Sequence, residues 1–165
     1  MRLPAMPEKT ETASKSCKEP RLIGWKETID IPEWGLYDIL SKTDTGARRS
    51  AIDVKNIVER PGGRVQFDVA LDRRDPSRRQ TVVAPIARQS RVRSSNGQTH
   101  ERYVVEAIVR IGHVEKPIEL SLVCRRKMIC RILLGRKAIE GDFVVDPSLK
   151  YQAGPRRPPR AVAEP

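Results

Sequence analysis

Apolar residues at every second position constrain this chain more than any other feature. Val65, Phe67, Val69 and Leu71 share one face of an extended segment while Gln66 and Asp68 point to the other, the pattern of a half-buried strand. Tyr103, Val105, Ala107, Val109 and Ile111 repeat it against Glu106 and Arg110. Ile118, Leu120 and Leu122 do so against Glu119 and Ser121, with Gly112-His113 placed to turn between the two segments. Ile23 to Ile31 and Leu36 to Thr43 predict two earlier strands, separated where Pro32-Glu33-Trp34-Gly35 interrupts a ladder. Pro61-Gly62-Gly63 predicts a turn, and Asp72 to Arg79, with Pro76, an exposed basic loop. Asn96-Gly97 is the sharpest hairpin signal, because both residues tolerate positive φ. Lys137-Ala138-Ile139-Glu140, stopped at Gly141, is the one good position for a short helix. Short strands, many turns and little helix predict a compact all-β domain.

A chain of 165 residues holds one such domain and not two well-buried ones. Residues 1–20, rich in Lys, Glu, Thr, Ser and Pro without periodicity, are expected to be a disordered tail. Residues 152–165, with Pro155-Arg156-Arg157-Pro158-Pro159-Arg160, are expected to be a second, leaving a domain at 21–151. The formal net charge of +11 calls for acidic partners to be considered. An aromatic fraction of 4% offers few rings for base stacking and no nucleic-acid-binding signature is present, so nucleic acid is a secondary expectation. Cys17, Cys124 and Cys130 are an odd number without an apolar N-terminal segment, which fits the reducing cytoplasm; Cys124 and Cys130 are expected in the core or in strands. No apolar run approaches the ~20 residues needed to span a bilayer, and no membrane association is expected.

Chemistry concentrates at Asp44-Thr45-Gly46-Ala47. The strand ending at Thr43 delivers a single carboxylate into a turn of small residues, which a backbone needs where it passes close to a substrate or to a second copy of itself. An isolated tetrad of this kind also serves as a simple capped turn, with Asp44 and Thr45 bonding locally. Its context is what distinguishes it: the Asn96-Gly97 hairpin follows, then Arg131-Ile132-Leu133-Leu134-Gly135-Arg136, an apolar strand ending in Gly-Arg, and then the short helix.

That order resembles the retroviral-type aspartic proteases. More closely, Gly24-Trp25, Asp44-Thr45-Gly46-Ala47-Arg48, Arg93-Ser94-Ser95-Asn96-Gly97, Pro117-Ile118-Glu119-Leu120 and Leu133-Leu134-Gly135-Arg136 are similar to a retropepsin-like bacterial family long labelled ATP-dependent zinc proteases, often encoded near ligases that add glutamate to ribosomal protein S6. Neither half of that label has a counterpart here. No His-Glu-x-x-His helix exists for zinc, the only histidines being His100 and His113, and there is no phosphate-cradling glycine loop; no metal or other cofactor is expected.

The resemblance implies a closed retropepsin-like β-barrel and an aspartic endopeptidase with Asp44 as catalytic residue. One acid turn per chain implies a homodimer in which two Asp44 carboxylates share a proton and activate a water. It further implies that Thr45 braces the two turns, Gly46 leaves room for substrate backbone, Ser95, Asn96 and Gly97 close as a flap, and Gly135 packs beneath the turn. Retroviral enzymes follow the turn with acids that pair with the downstream arginine. Here Arg48 and Arg49 follow, so Arg136 needs another partner, and Arg48 is expected to line the cleft and favour an acidic peptide such as a poly-glutamate tail. The rival expectation is a catalytically silent module of the same fold that binds RNA or the ribosome through Arg73, Arg74, Arg78 and Arg79. Trp25 and Trp34 are expected to pack in a strand and a turn.

Overall fold

A computed structural model describes residues 19–72, 75, 77–93, 97, 99–124 and 129–154, and both predicted tails lie largely outside this range. The described residues build ten strands: β1 (Arg21–Ile31), β2 (Leu36–Thr43), β3 (Ser50–Arg60), β4 (Arg64–Ala70), β5 (Arg79–Pro85), β6 (Arg88–Arg93), β7 (Thr99–Ile111), β8 (Val114–Val123), β9 (Ile132–Leu134) and β10 (Phe143–Lys150). A 3-10 turn covers Pro32–Trp34 and one short helix, α1, covers Arg136–Ile139.

Six of the strands close into a barrel in the order β1-β2-β9-β3-β8-β7, sealed where Asp30 of β1 pairs with Arg110 of β7. The barrel is mixed: β9 runs parallel to β2 and antiparallel to β3, while β3 runs parallel to β8. Strands β4 and β5 extend from β3, β6 extends from β7, and β10 lies parallel on β1. The alternation read from the sequence is what fills the centre. Val65, Phe67 and Val69 are fully buried, as are Val105, Val109 and Leu120, and Trp34 meets Phe67 edge-on with ring centroids 5.5 Å apart.

Two strands carry no alternation. In β3, Asp53 is buried within an apolar run, and Asn56 at φ 51° sits where the pairing with β4 slips between Lys55 and Val58, so the two-residue period breaks. In β10, Pro147 has no N–H to donate, which an edge strand tolerates. Cys130 is buried, but Cys124 is exposed: β8 ends at Val123, one residue too early to carry it inward, correcting the expectation that both lie in the core or in strands.

The end of the described chain is tied down by an acid. Glu27, fully buried, accepts hydrogen bonds from the backbone N–H groups of Gly24 at 2.6 Å and Gln152 at 2.9 Å through Oε1, and from Ala153 at 3.2 Å through Oε2. A carboxylate with only acceptors suits three converging donors. Glu27→Gln would turn an amide NH2 towards them, and we expect a loss of roughly 1–3 kcal/mol in urea unfolding, the cost of leaving buried donors unmatched.

Candidate active site

Asp44 stands immediately beyond β2, half-buried, with its N–H donating to the Leu134 carbonyl at 2.8 Å and so continuing the β2–β9 ladder by one residue. Its own carbonyl accepts from Ala47 N–H at 3.2 Å, which closes the turn. Thr45 and Gly46 are exposed at the tip and Ala47 is half-buried. A Cβ placed on Gly46 would lie 3.3 Å from Asp44 Oδ1, tighter than most side-chain contacts, so glycine keeps the carboxylate uncrowded. The buried Thr43 donates its hydroxyl to the Trp25 carbonyl at 3.3 Å, fixing the strand that leads into the turn.

The turn rests on the segment after β9. Arg136 Nη1 donates to the carbonyls of Thr45 at 2.9 Å and Gly46 at 3.1 Å, so the partner this arginine needed is the backbone of the acid turn itself. Arg136 N–H donates to Ala47 O at 2.9 Å and Lys137 N–H to Arg48 O at 3.1 Å. Gly135 N–H donates to the buried Ser50 hydroxyl at 3.1 Å, and a Cβ at Gly135 would come within 2.4 Å of Arg49 O. Deeper in the barrel, Arg131 Nη1 bonds Asp53 Oδ2 at 2.6 Å while Asp53 N–H donates to Arg131 O. Neither Ser50 nor this ion pair was picked out from sequence. Ser50 carries no local signal, whereas an acid inside Ala51–Val54 does, because a buried carboxylate in a strand requires a cation somewhere.

The cations around the turn differ in their engagement. Arg48 is exposed and its side chain has no partner among the described residues. Arg49 approaches Glu119 at 4.0 Å, and Arg88 binds the same carboxylate at 2.9 Å. The hydrogen bond from Arg88 is the main reason that the Glu119 carboxyl is held below its ordinary value. Arg49, Ser50, Glu106, Glu119, Lys137 and Glu140 line a polar cavity of about 310 Å³ beside α1. Gly97 has φ 82° with open space around it, while Ser95 and Asn96 lie outside the described residues. Arg93 pairs with Thr99 on either side of that tip. No group of three or more His, Cys, Asp or Glu among the described residues is placed to hold a metal ion.

Comparison with known proteins shows what the chain is similar to. A family model described as "RimB-like: Retropepsin-like aspartic endopeptidase RimB" matches residues 22–156. Proteins named "Probable alpha-L-glutamate ligase" from Parasynechococcus marenigrum and Shewanella pealeana are 35% identical over 139 residues and 31% over 138, covering 82% and 81% of this chain. The chain spans 30% of the length of each. A crystal structure of a Legionella pneumophila protein of unknown function superposes with a TM-score of 0.67 at 23% identity, over 81% of this chain and 98% of that one, which shows a shared fold.

Two outcomes are expected. Gly135→Ala forces the Arg49 backbone to move, because the new methyl would stand 2.4 Å from a carbonyl oxygen, and should destabilise the protein by ~1–3 kcal/mol in thermal or urea unfolding. For Glu119, a folded-state pKa below the ordinary 4.5 means that its contribution is complete above that value and is lost as pH falls through the lowered one. Arg88→Gln should therefore cost stability mainly above pH 4.5, with the gap to wild type closing in acid, as read by urea midpoints across pH.

Proposed function

The chain belongs to the RimB-like family of retropepsin-like aspartic endopeptidases, and we propose that it hydrolyses peptide bonds between the Asp44 carboxylates of two copies. The observation that carries this reading is the support of the acid turn. Two carbonyls of Asp44-Thr45-Gly46-Ala47 are held by one guanidinium, a third accepts from Arg136 N–H, and the Asp44 N–H is bound to β9, so the carboxylate is held on a fixed backbone. A merely structural turn has no need of this, whereas an acid–base group does, because catalysis depends on positions being set before reaction.

Each chain supplies one acid of this kind, so a two-fold axis through the turn brings the second. Two carboxylates at close range cannot both ionise, and the pair shares one proton. The ionised Asp44 takes a proton from water, whose oxygen bonds to the scissile carbonyl carbon while the protonated Asp44 polarises the carbonyl oxygen. Collapse of the tetrahedral species breaks the C–N bond, and the departing nitrogen takes up a proton. Thr45, at the exposed tip, is the residue to brace one turn against the other.

Substrates are proposed to be acidic polypeptides. Arg48, exposed, unpaired among the described residues and following the acid turn directly in the chain, suits a carboxylate side chain. Relatives named for glutamate ligation support glutamate-rich tails as the class to test.

The test is cleavage of a mixed peptide library between about pH 4 and 8 by wild type and Asp44→Asn, read by mass spectrometry. We expect cleavage enriched beside Glu and Asp, a rate that falls both where the pair is doubly protonated and where it is doubly ionised, and a loss of at least about a hundredfold in Asp44→Asn. Two folded proteins that cut nothing, and bind RNA in a salt-dependent way whether or not Asp44 is intact, would favour the silent binding module.

A further inference from the structure

We propose that Lys26, Lys42 and Lys150, gathered around the Trp25 ring beside the acid turn, form an anchoring subsite for consecutive carboxylates of an acidic polypeptide. Lys26 of β1 is paired directly with Lys42 of β2 on one side and with Lys150 of β10 on the other. Neighbouring strands lie ~4.8 Å apart, so the three form a row roughly 10 Å long on one face of the sheet. Their ammonium nitrogens converge on a single indole: Lys150 Nζ lies 5.3 Å from the Trp25 ring centroid, and those of Lys26 and Lys42 lie 6.0 Å from it.

Such a row is unfavourable on its own. Like charges directly opposite one another weaken a sheet, and here the juxtaposition occurs twice in succession. One ring offers modest cation–π attraction and cannot offset three ammoniums. None of the three has an ion pair among the described residues. Of the acids on the same strands, Glu27 is committed to three backbone N–H groups, Asp30 to Asp38 N–H and Arg110, and Asp146 to Ser148. Lys42 and Lys150 are exposed, and Trp25 and Lys26 are half-exposed, so the positive row is open to solvent.

Position and length indicate the occupant. Lys42 is the last exposed residue of β2, two residues before Asp44, so the row lies at the strand end that leads into the acid turn. A small anion would be held by enclosed donors converging on one point, whereas an open row of ~10 Å suits several charges in series. An extended peptide carries every second side chain on one face, ~6–7 Å apart, so two glutamates can meet the row together. A single-stranded nucleic acid would want several stacking rings, and Trp25 alone is present in this cluster. The inference rests on the peptidase reading only in taking the anchored polypeptide to be the one that reaches Asp44.

The experiment measures anisotropy of a fluorescent ten-residue poly-glutamate peptide titrated with the full-length Asp44→Asn protein at low salt. Adding Lys42→Gln and Lys150→Gln should weaken binding by about tenfold or more, and Lys42→Arg with Lys150→Arg should restore most of it. The lysines are surface groups, and equal melting temperatures identify the variants as folded. Unchanged poly-glutamate affinity in the glutamine variant overturns the proposal. So does an oligouridylate of equal length that binds more tightly and depends on the same lysines. Because Asp44→Asn cannot cleave, anchoring is scored independently of activity: lysine-dependent binding without wild-type cleavage would sink the peptidase reading and leave the subsite standing.

Discussion

The insertion of β9 between β2 and β3 is the constraint on which the remaining structure depends, because one three-residue strand both completes the barrel and assembles the site. Its register places Thr43 beside Leu134, with Ile132 and Leu134 fully buried on the inner side. The next backbone bond, Asp44 N–H to Leu134 O, fixes the start of the acid turn. Gly135 and Arg136 then fall directly beneath the turn, where one permits close approach to Arg49 and the other takes two carbonyls. The groups that meet are some ninety positions apart in the chain, so the turn acquires its support only when the barrel closes. Slow formation of such non-local pairings is the ordinary consequence of loop-closure entropy.

The basic surplus of the chain divides into two populations. Arg131 answers Asp53, Arg88 and Arg49 answer Glu119, Arg110 answers Glu115, and Arg136 answers the turn carbonyls. Arg48 and the lysines around Trp25 have no ion-pair partner among the described residues. A net charge of +11 is therefore not a uniform solvated coat. Cations that hold the barrel together are paired, and the unpaired Lys42 and Arg48 bracket the acid turn in the chain, which is the feature behind the proposal of an acidic substrate.

Legibility varied element by element for physical reasons. β4, β7 and β8 were readable because each buries one face and exposes the other, so the period of two is written in the residue types. β3 and β10 were not, because Asp53 is buried for an ion pair rather than for apolarity, Asn56 breaks the register, and β10 is an edge strand holding Pro147. The acid turn could be located by its tetrad and by the order of the motifs around it. Its relation to Arg136 could not, since nothing in either segment states which carbonyls the guanidinium reaches.

From the sequence alone follow the all-β class, the position of the acid turn and the family resemblance. All three depend on local periodicity, on small residues after an acid, and on the order of motifs along the chain. Tertiary structure decided which distant groups meet: Arg136 with Thr45 and Gly46, Glu27 with Gln152 and Ala153, and Lys26 with Lys42 and Lys150. Strand register and barrel closure set those meetings. Both are properties of the whole core, because a slip of one residue would carry every apolar side chain of a strand to the wrong face.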